Sequence, residues 1–390
     1  MALSLQGALP RAAEPIDAER STGLLPSQRI REAVLERREI RSQEPIGEDQ
    51  VQPASLDLRL GEVAYRVRAS FLPGPRHTVD EKLDLLSMHR IDLTKDAVLE
   101  KDCVYIVPLL ESLALGRRRS AGANPKSSTG RLDVFARVIT DYGSEFDRVR
   151  EGYKGPLYAE LSPRSFSILV RAGSRLVQLR LRRGSPAFHD AALRRLQEKV
   201  GLIEGPAGAP CGRAAVKGGL AFTVDVSGEE SGGVVGFKAR RHTGLIDVDR
   251  VGHYDPLDFW EPVYPLKGRL GILLDPNDFT ILATREAVAV PPDHAAEMLP
   301  YNTFVGEFRV HFAGFFDPGF GTAEGAGSRA VLEVRSHEVP FLMEDGQVIG
   351  RLVYERLLAR PDKLYGPAIG SSYQRQGLAL SKHFKPLAPR

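Results

Sequence analysis

The sequence has few of the features that mark disulfide-stabilised or membrane proteins. Only two of its 390 residues are cysteines, Cys103 and Cys211, which argues against a disulfide framework and favours a reducing, cytoplasmic location. No run of about 18 apolar residues occurs, so we expect no membrane span. The first 13 residues have neither a basic region nor a long apolar one, so we expect no secretion signal.

An excess of one charge and a zinc signature are also missing. The 53 lysines and arginines nearly balance the 50 aspartates and glutamates, whereas a nucleic-acid surface needs a strong basic excess. Zinc-dependent nucleobase deaminases carry His-x-Glu and Pro-Cys-x-x-Cys. Here Ala214 stands where the second cysteine would be, and no His-x-Glu occurs. We therefore expect no nucleic-acid partner, no zinc and no protein-bound metal.

Glycine and proline are both abundant, with 38 and 27 residues, as is typical of many short strands joined by turns. Alternating or continuous apolar patterns predict strands over 55–61, 104–107 and 165–170. Helical spacing predicts a short helix capped by Ser27 and a second one over 191–200. These patterns together predict a mainly β fold with a few short helices.

The chain contains an internal repeat. Residues 157–161 resemble 330–334, and this match places Glu160 and Glu333 at equivalent positions, 173 residues apart. A repeat of this length is a whole domain rather than a solenoid unit.

The repeat predicts the organisation of the chain. We expect an extension over 1–24 that is poorly ordered, then a first domain over 25–204 and a second over 212–390. The small residues at 205–208 would form the linker between the domains.

Three motifs could bear chemistry. In the segment from Lys126 to Arg131, two hydroxyls lie between two cations, which suits a triphosphate, although a solvated loop would look the same. Glu160 and Glu333 each lie in an apolar strand. Such a glutamate is either a surface residue of a half-buried strand or a partly desolvated base with a raised pKa.

The third motif is His311 to Phe320, where Asp317-Pro318-Gly319 is a turn sequence and predicts a hairpin. That hairpin could be purely structural, or its small Ala313 and carboxylate could accommodate a flat base and a sugar hydroxyl. The polar tail over 370–377 is either a disordered terminus or an arm that closes over a ligand.

These segments resemble the dCTP deaminases of the dUTPase superfamily. The resemblance is carried by 52–61, by Lys126 to Leu132, by both glutamate strands, by 313–320 and by the tail. It implies two tandem dUTPase-like units, each a distorted β-barrel or jelly-roll, in the long form of the enzyme. In single-copy relatives three subunits form a trimer with active sites between subunits. The resemblance therefore also implies a homo-oligomer with a trimer-like arrangement of domains.

The two copies have diverged in a complementary way. The first half keeps Ser127, Ser128 and Arg131, where the second half has Pro300, Tyr301 and Phe304. The second half keeps Ala313 and Asp317, where the first has Thr140 and Ser144. The resemblance thus implies a composite site, with phosphates bound by the first half and the nucleoside by the second.

The resemblance also implies roles for individual residues. Glu333 would be the general base, Ser127 would orient water, Arg131 would stabilise developing charge and Asp317 would accept from the 3′-hydroxyl. Whether Glu160 is also catalytic stays open. Mg²⁺ would be bound through the triphosphate. The remaining substrate-binding candidates are Lys126, Ser128, Ala313, Tyr365, Ser372 and Gln376, and Ser372 stands where the family usually has lysine.

The main expectation is zinc-independent hydrolysis of dCTP to dUTP and ammonia in pyrimidine deoxynucleotide synthesis. One alternative is a dUTP pyrophosphatase or a bifunctional enzyme, which would need a water beside the phosphates. Glutamate at both repeats favours deamination, because the superfamily uses aspartate for the pyrophosphatase chemistry. Another alternative is a regulator that binds nucleotides without turnover.

Overall fold

The computed structural model describes residues 21–204, 216–229, 232–267, 271–299, 308–311, 314–322, 327–336, 339–366, 373 and 376–387. For 308–311 only the backbone is considered. Strands dominate, and the helices are short. The mainly β fold of dUTPase-like units predicted from the sequence is therefore confirmed.

The elements of the first half follow in chain order. They are β1 (Gly23–Leu24), α1 (Ser27–Leu35), β2 (Ile40–Ser42), a 3-10 turn (Glu48–Gln50), β3 (Leu56–Leu58), β4 (Val63–Val67), α2 (Val79–Leu86), β5 (Ser87–Asp92), β6 (Ala97–Leu99), β7 (Val104–Ala114), β8 (Arg119–Pro125), α3 (Ser127–Gly130), β9 (Val134–Thr140), β10 (Arg148–Val149), β11 (Lys154–Pro163), β12 (Ile168–Val170), β13 (Val177–Arg183), α4 (Asp190–Val200) and β14 (Ile203–Glu204).

The second half contains the remaining elements. They are β15 (Leu220–Thr223), β16 (Gly236–Ala239), β17 (Ile246–Asp247), α5 (Pro256–Phe259), β18 (Trp260–Val263), β19 (Ile272–Leu274), β20 (Phe279–Val288), β21 (His294–Leu299), β22 (Phe308–His311), β23 (Phe315–Phe316), β24 (Ser328–Ser336), β25 (Phe341–Met343) and β26 (Val348–Arg356).

The two halves repeat one strand order. The larger sheet of the first half runs β5-β4-β7-β11-β9, and that of the second runs β18-β16-β20-β24-β22. The facing sheets contain β13-β8-β10 in the first half and β26-β21-β23 in the second. Glu160 in β11 and Glu333 in β24 therefore occupy equivalent places, each on a strand with neighbours on both sides.

The halves are joined by a strand and by an aromatic cluster. Strand β17 of the second half pairs in parallel with β12 of the first, Ile246 with Ile168. Trp260 is fully buried, with its ring centroid 5.3 Å from that of Phe166 and 5.9 Å from that of Phe384. Because Phe384 belongs to the C-terminal tail, this cluster fixes the tail to both halves.

Some local predictions differ from the structure. Residues 23 and 24, predicted to be part of a loose extension, form β1 on β13, because Leu24 is apolar and fully buried there. The first helix begins at Ser27 itself, with Pro26 in the capping position and the Ser27 hydroxyl bonded to Asp362. The second predicted helix is α4. Residues 1–20 and the expected linker at 205–208 lie outside the described residues.

The predicted hairpin over 311–320 is wrong. Strand β22 pairs with β24 in the larger sheet, whereas β23 pairs with β21 in the facing sheet. The chain therefore crosses between sheets where the sequence suggests a tight return. The Asp317-Pro318-Gly319 turn follows β23 instead, with Gly319 at φ +94° and its N–H donating to Val290 O.

None of the helices in the described part of the chain combines the length and the apolar character needed to cross a membrane.

Candidate active site

Segments from both halves of the chain enclose a cavity of about 50 Å³. The first half contributes the segment around α3, and the second contributes β23, β24 and the tail. The described residues around the cavity are Pro125, Lys126, Ser127, Gly130, Arg131, Met298, Gly314, Phe315, Phe316, Asp317, Phe320, Val331, Glu333, Tyr365, Tyr373 and Gln376.

The segment with two hydroxyls between two cations is fixed at the end of β8. Lys126 donates its backbone N–H to Leu176 O of the neighbouring chain segment, and its ammonium pairs with Asp57 of β3. The single turn of α3 then places Ser127 and Arg131 at the cavity. Ser128 points elsewhere and lines a second cavity on the other side of α3.

Arg131 is buried and is covered by the C-terminal tail. Its guanidinium donates to Gln376 Oε1 at 2.9 Å and to Ala379 O at 3.1 Å. The ring centroid of Tyr373 lies 3.8 Å from the guanidinium carbon, which is close enough for a cation–π contact. Gln376 in turn donates to Arg329 O of the second half. The tail therefore connects the cation of one half to the glutamate strand of the other.

Glu333 lies inside this cavity on the central strand β24. The residue is only 5% exposed, and its neighbours across the strands are Ile281 and His311. Burial raises the pKa of the Glu333 carboxyl to about 8, although the positive charge of Arg131 acts in the opposite direction. A carboxyl with such a pKa can both accept and return a proton near neutral pH.

Asp317 is held by an arginine of the first half. Arg180 is fully buried and donates to Asp317 Oδ1 at 2.9 Å, to Phe316 O at 2.9 Å and to Ala296 O at 2.8 Å. Burial raises the pKa of Asp317, and the Arg180 charge opposes that rise. Sequence reasoning missed Arg180, because its place in the alternating run of β13 looks like a solvent-exposed position. That position instead faces the second half.

Tyr365 also reaches the cavity. Its backbone N–H donates to Pro318 O at 2.8 Å, and its ring centroid is 5.5 Å from that of Phe320. Of the other candidates, Ala313 and Ser372 lie outside the described residues. Met298 and Val331 line the cavity and were not anticipated, since an apolar residue in a strand carries no signal of a site.

Glu160 is separate from this cavity. None of the described residues that surround the cavity belongs to its strand, β11. Ser70 donates to Glu160 Oε2 at 2.6 Å, and the carboxylate is only 5% exposed. Burial raises the pKa of Glu160, while Ser70 and Arg137 act to lower it. The structure thus brings together Glu333, Asp317 and the cationic segment, and leaves Glu160 apart.

No three His, Cys, Asp or Glu side chains come together as a metal-binding group within the described ranges. The expectation that the chemistry needs no zinc stays a prediction from the sequence.

Comparisons with known proteins point to one family. The family model for the N-terminal domain of 2′-deoxycytidine 5′-triphosphate deaminase matches residues 21–185, and the model for its C-terminal domain matches 189–384. The crystal structure of 2′-deoxycytidine 5′-triphosphate deaminase from Agrobacterium tumefaciens is similar with a TM-score of 0.81 and 53% identity. The match covers 88% of this chain and all of that one.

Curated relatives match over shorter stretches. The "dCTP deaminase, dUMP-forming" of Halobacterium salinarum is 34% identical over 108 residues, which cover 27% of this chain and 52% of that protein. A protein of the same description from Parafrankia sp. is 33% identical over 135 residues, covering 33% of this chain and 64% of the relative. These matches span between half and two thirds of the curated relatives.

Proposed function

The chain belongs to the dCTP deaminase family, and we propose that it hydrolyses dCTP to dUTP and ammonia. The observation that carries this proposal is the composite cavity. In it, a buried glutamate whose pKa is raised to about 8 lies beside the arginine of a segment that suits phosphates. That combination provides a general base next to a binding site for a charged nucleotide.

The proposed reaction begins with attack of water on C4 of the cytosine ring. Glu333 takes one proton from the water as the C–O bond forms, and the ring becomes a tetrahedral intermediate. The same carboxyl then gives the proton to the amino group, which leaves as ammonia as the C–N bond breaks. The proton returns to the leaving group, so Glu333 ends the cycle as it began.

The neighbouring residues would orient the reactants. Ser127 would hold the water or the glutamate, and Arg131 would stabilise negative charge that develops beside Glu333. Asp317, fixed by Arg180, has a second carboxylate oxygen that can accept from the 3′-hydroxyl. dCTP would enter as its Mg²⁺ complex, because Mg²⁺ is usually held through phosphates.

The cavity in its present form is too small for this substrate. Sites for ligands of such size usually have volumes of about 300–1,000 Å³, against about 50 Å³ here. The tail contacts of Arg131, made by Gln376, Ala379 and Tyr373, occupy the entrance. We therefore propose that dCTP displaces part of the tail, which then closes over the bound nucleotide.

We also propose that one chain holds a complete site, since residues of both 25–204 and 212–390 surround the cavity. Association into a homo-oligomer, the domain boundaries and the cytoplasmic location remain predictions. Sedimentation of the pure protein tests the first of these, with activity measured on the same fractions.

A second candidate is a two-step reaction that ends at dUMP. The descriptions of the Halobacterium and Parafrankia relatives, both named dUMP-forming, favour this candidate. The deciding experiment incubates pure protein with dCTP and Mg²⁺ and separates dCTP, dUTP, dUMP and ammonia. Accumulation of dUTP supports the main proposal, and accumulation of dUMP supports the two-step reaction. Binding of dCTP with neither product would favour a regulator.

The same assay tests independence from zinc. Turnover should persist after treatment with a zinc chelator and dialysis into buffer with Mg²⁺. Loss of turnover that Zn²⁺ restores, and Mg²⁺ does not, would show that this part of the proposal is wrong.

A further inference from the structure

A second cavity, of about 360 Å³, lies on the other side of α3 from Glu333. Lys126 lines both cavities, whereas Ser127 faces the first and Ser128 the second. The polar side chains around the second cavity include Lys126, Ser128, Thr129, Arg175, Lys382 and His383. A chain of phosphates that leaves the active cavity past Lys126 would therefore enter this second cavity.

Two polar groups in this cavity have no partner among the described residues. The Thr129 hydroxyl belongs to a residue that is 1% exposed, and it makes no hydrogen bond. The Lys382 ammonium, on a half-buried side chain, forms neither a hydrogen bond nor an ion pair in the described part of the chain. Buried donors without acceptors are costly, so the cavity is arranged for an acceptor that is not part of the protein.

The acidic residues nearby are already paired. Asp57 binds Lys126, and Asp249 accepts from Arg171 and from Ser174. Arg175 binds Asp49 at 2.7 Å. The charge of Lys382 is thus the one in this group that no close carboxylate neutralises, and its pKa is lowered by burial and by the nearby Lys126. An anion beside both lysines would relieve that repulsion.

Lys382 is also held firmly in place. The preceding Ser381 donates to Ser128 O at 2.8 Å, and Lys382 N–H donates to the Tyr373 hydroxyl at 3.0 Å. The next residue, His383, lies 2.8 Å from Val248 O through Nε2. Burial lowers the pKa of His383 to about 4, so this ring is neutral near pH 7 and adds no charge to the cavity.

We propose that the second cavity receives the terminal phosphates of the nucleoside triphosphate and that Lys382 is a cation that binds them. This inference rests on the proposed function. Lys126 would lie between the two cavities and contact the middle of the phosphate chain. Ser372, which cannot supply a cation, would then be compensated by Lys382, ten residues further along the same tail.

The test uses the full chain and inorganic tripolyphosphate, pyrophosphate and orthophosphate as probes, with binding measured by calorimetry. Tripolyphosphate should bind the unaltered protein, and Lys382→Met should weaken that binding by about 10- to 100-fold, as expected for a lost charged hydrogen bond. Lys385→Met is the matched control, because Lys385 is exposed three residues further along the tail, and it should leave binding unchanged. Lys382→Arg should retain most of the affinity, and melting curves confirm that each variant is folded.

Kinetics add a second readout. Lys382→Met should raise KM for dCTP by a similar factor while kcat changes little, since the base and the ring lie in the other cavity. Equal binding of tripolyphosphate by Lys382→Met and Lys385→Met would overturn the proposal. Tight binding of orthophosphate that dCTP does not displace would also overturn it, by showing an independent anion site. Binding of tripolyphosphate that depends on Lys382, in a protein that fails to deaminate dCTP, would retain the anion site and reject the proposed function.

Discussion

Glu160 and Glu333 occupy the same place in two copies of one sheet, and each is 5% exposed. Their surroundings differ. The Glu160 carboxylate accepts from Ser70, a residue of its own half, at 2.6 Å. Glu333 instead lies in a cavity shared with the other half, near the charge of Arg131. Both pKa values are raised by burial, and the value for Glu333 reaches about 8.

The comparison shows how a duplicated site can become a single one. A general base needs burial, but it also needs room for a reactant and a partner for the charge that develops. Glu160 has retained the burial, while a serine of its own half contacts its carboxylate. Glu333 has retained the cavity, while the phosphate-type segment survives only in the first half. Each half thus supplies what the other lacks.

The strongest test of this difference is Glu333→Gln. Glutamine preserves the shape and most hydrogen bonding but cannot accept the proton, so kcat should fall by about 10²–10⁴-fold, as for a lost general base. Ammonia release measures the rate, and a melting curve confirms the fold. Nearly full activity in this variant would remove Glu333 from the mechanism.

Arg131→Ala should be almost as severe, although Arg131 belongs to the other half. Loss of a charged donor at the site of developing charge costs about 10²–10³-fold in rate. Combined with Glu333→Gln, it should cost much less than the product of the two single effects, because both act in one site. Multiplicative losses measured in the double variant would indicate two independent sites.

The pH dependence should distinguish the two carboxyls. Glu333 acts as a base only when ionised, so kcat/KM should rise through a pH of about 8 and level off above it. Arg131→Ala should move this inflection to higher pH, since Arg131 now lowers the Glu333 pKa. Glu160→Gln should leave the inflection where it is. An inflection that disappears in Glu160→Gln would assign the titration to the other half.

The same pKa predicts a change in stability of smaller effect. The folded state favours protonated Glu333, so this stabilisation is complete below the ordinary value of 4.5 and is lost as the pH rises to about 8. The glutamine side chain of the Glu333→Gln variant cannot ionise. The melting temperature of this variant relative to that of the unaltered protein should therefore increase between these pH values. A constant difference across this range would mean that the pKa is not raised.

Much of the comparison was available from the sequence. The 173-residue offset predicted two copies and the complementary loss of Ser127 and Asp317 counterparts, because duplicated patterns leave matching residues at a fixed spacing. The mainly β fold followed from the short apolar runs and frequent turns.

The rest depends on contacts between distant segments. Arg180 was missed, because an alternating strand pattern gives no indication that its polar face meets another half. The hairpin over 311–320 was wrong, because turn residues describe a local bend, whereas pairing in the two sheets decides where each strand goes. The bond from Ser70 to Glu160 joins residues 90 positions apart, which no local pattern encodes.

The smallest expected effect belongs to Glu160→Gln. Ser70 donates to Glu160 Oε2, and a glutamine oxygen can still accept that hydrogen bond, so stability should fall by no more than about 0.5–1.5 kcal/mol. Turnover should change by less than a few fold, since the cavity with Glu333 and Arg131 is untouched. Ser70→Ala is the matched control, because it removes the same bond from its other end and should lower the melting temperature by a comparable amount. If Glu160→Gln abolishes ammonia release while Ser70→Ala does not and both remain folded, the carboxylate itself is needed for turnover. The assignment of the chemistry to the second half would then be wrong.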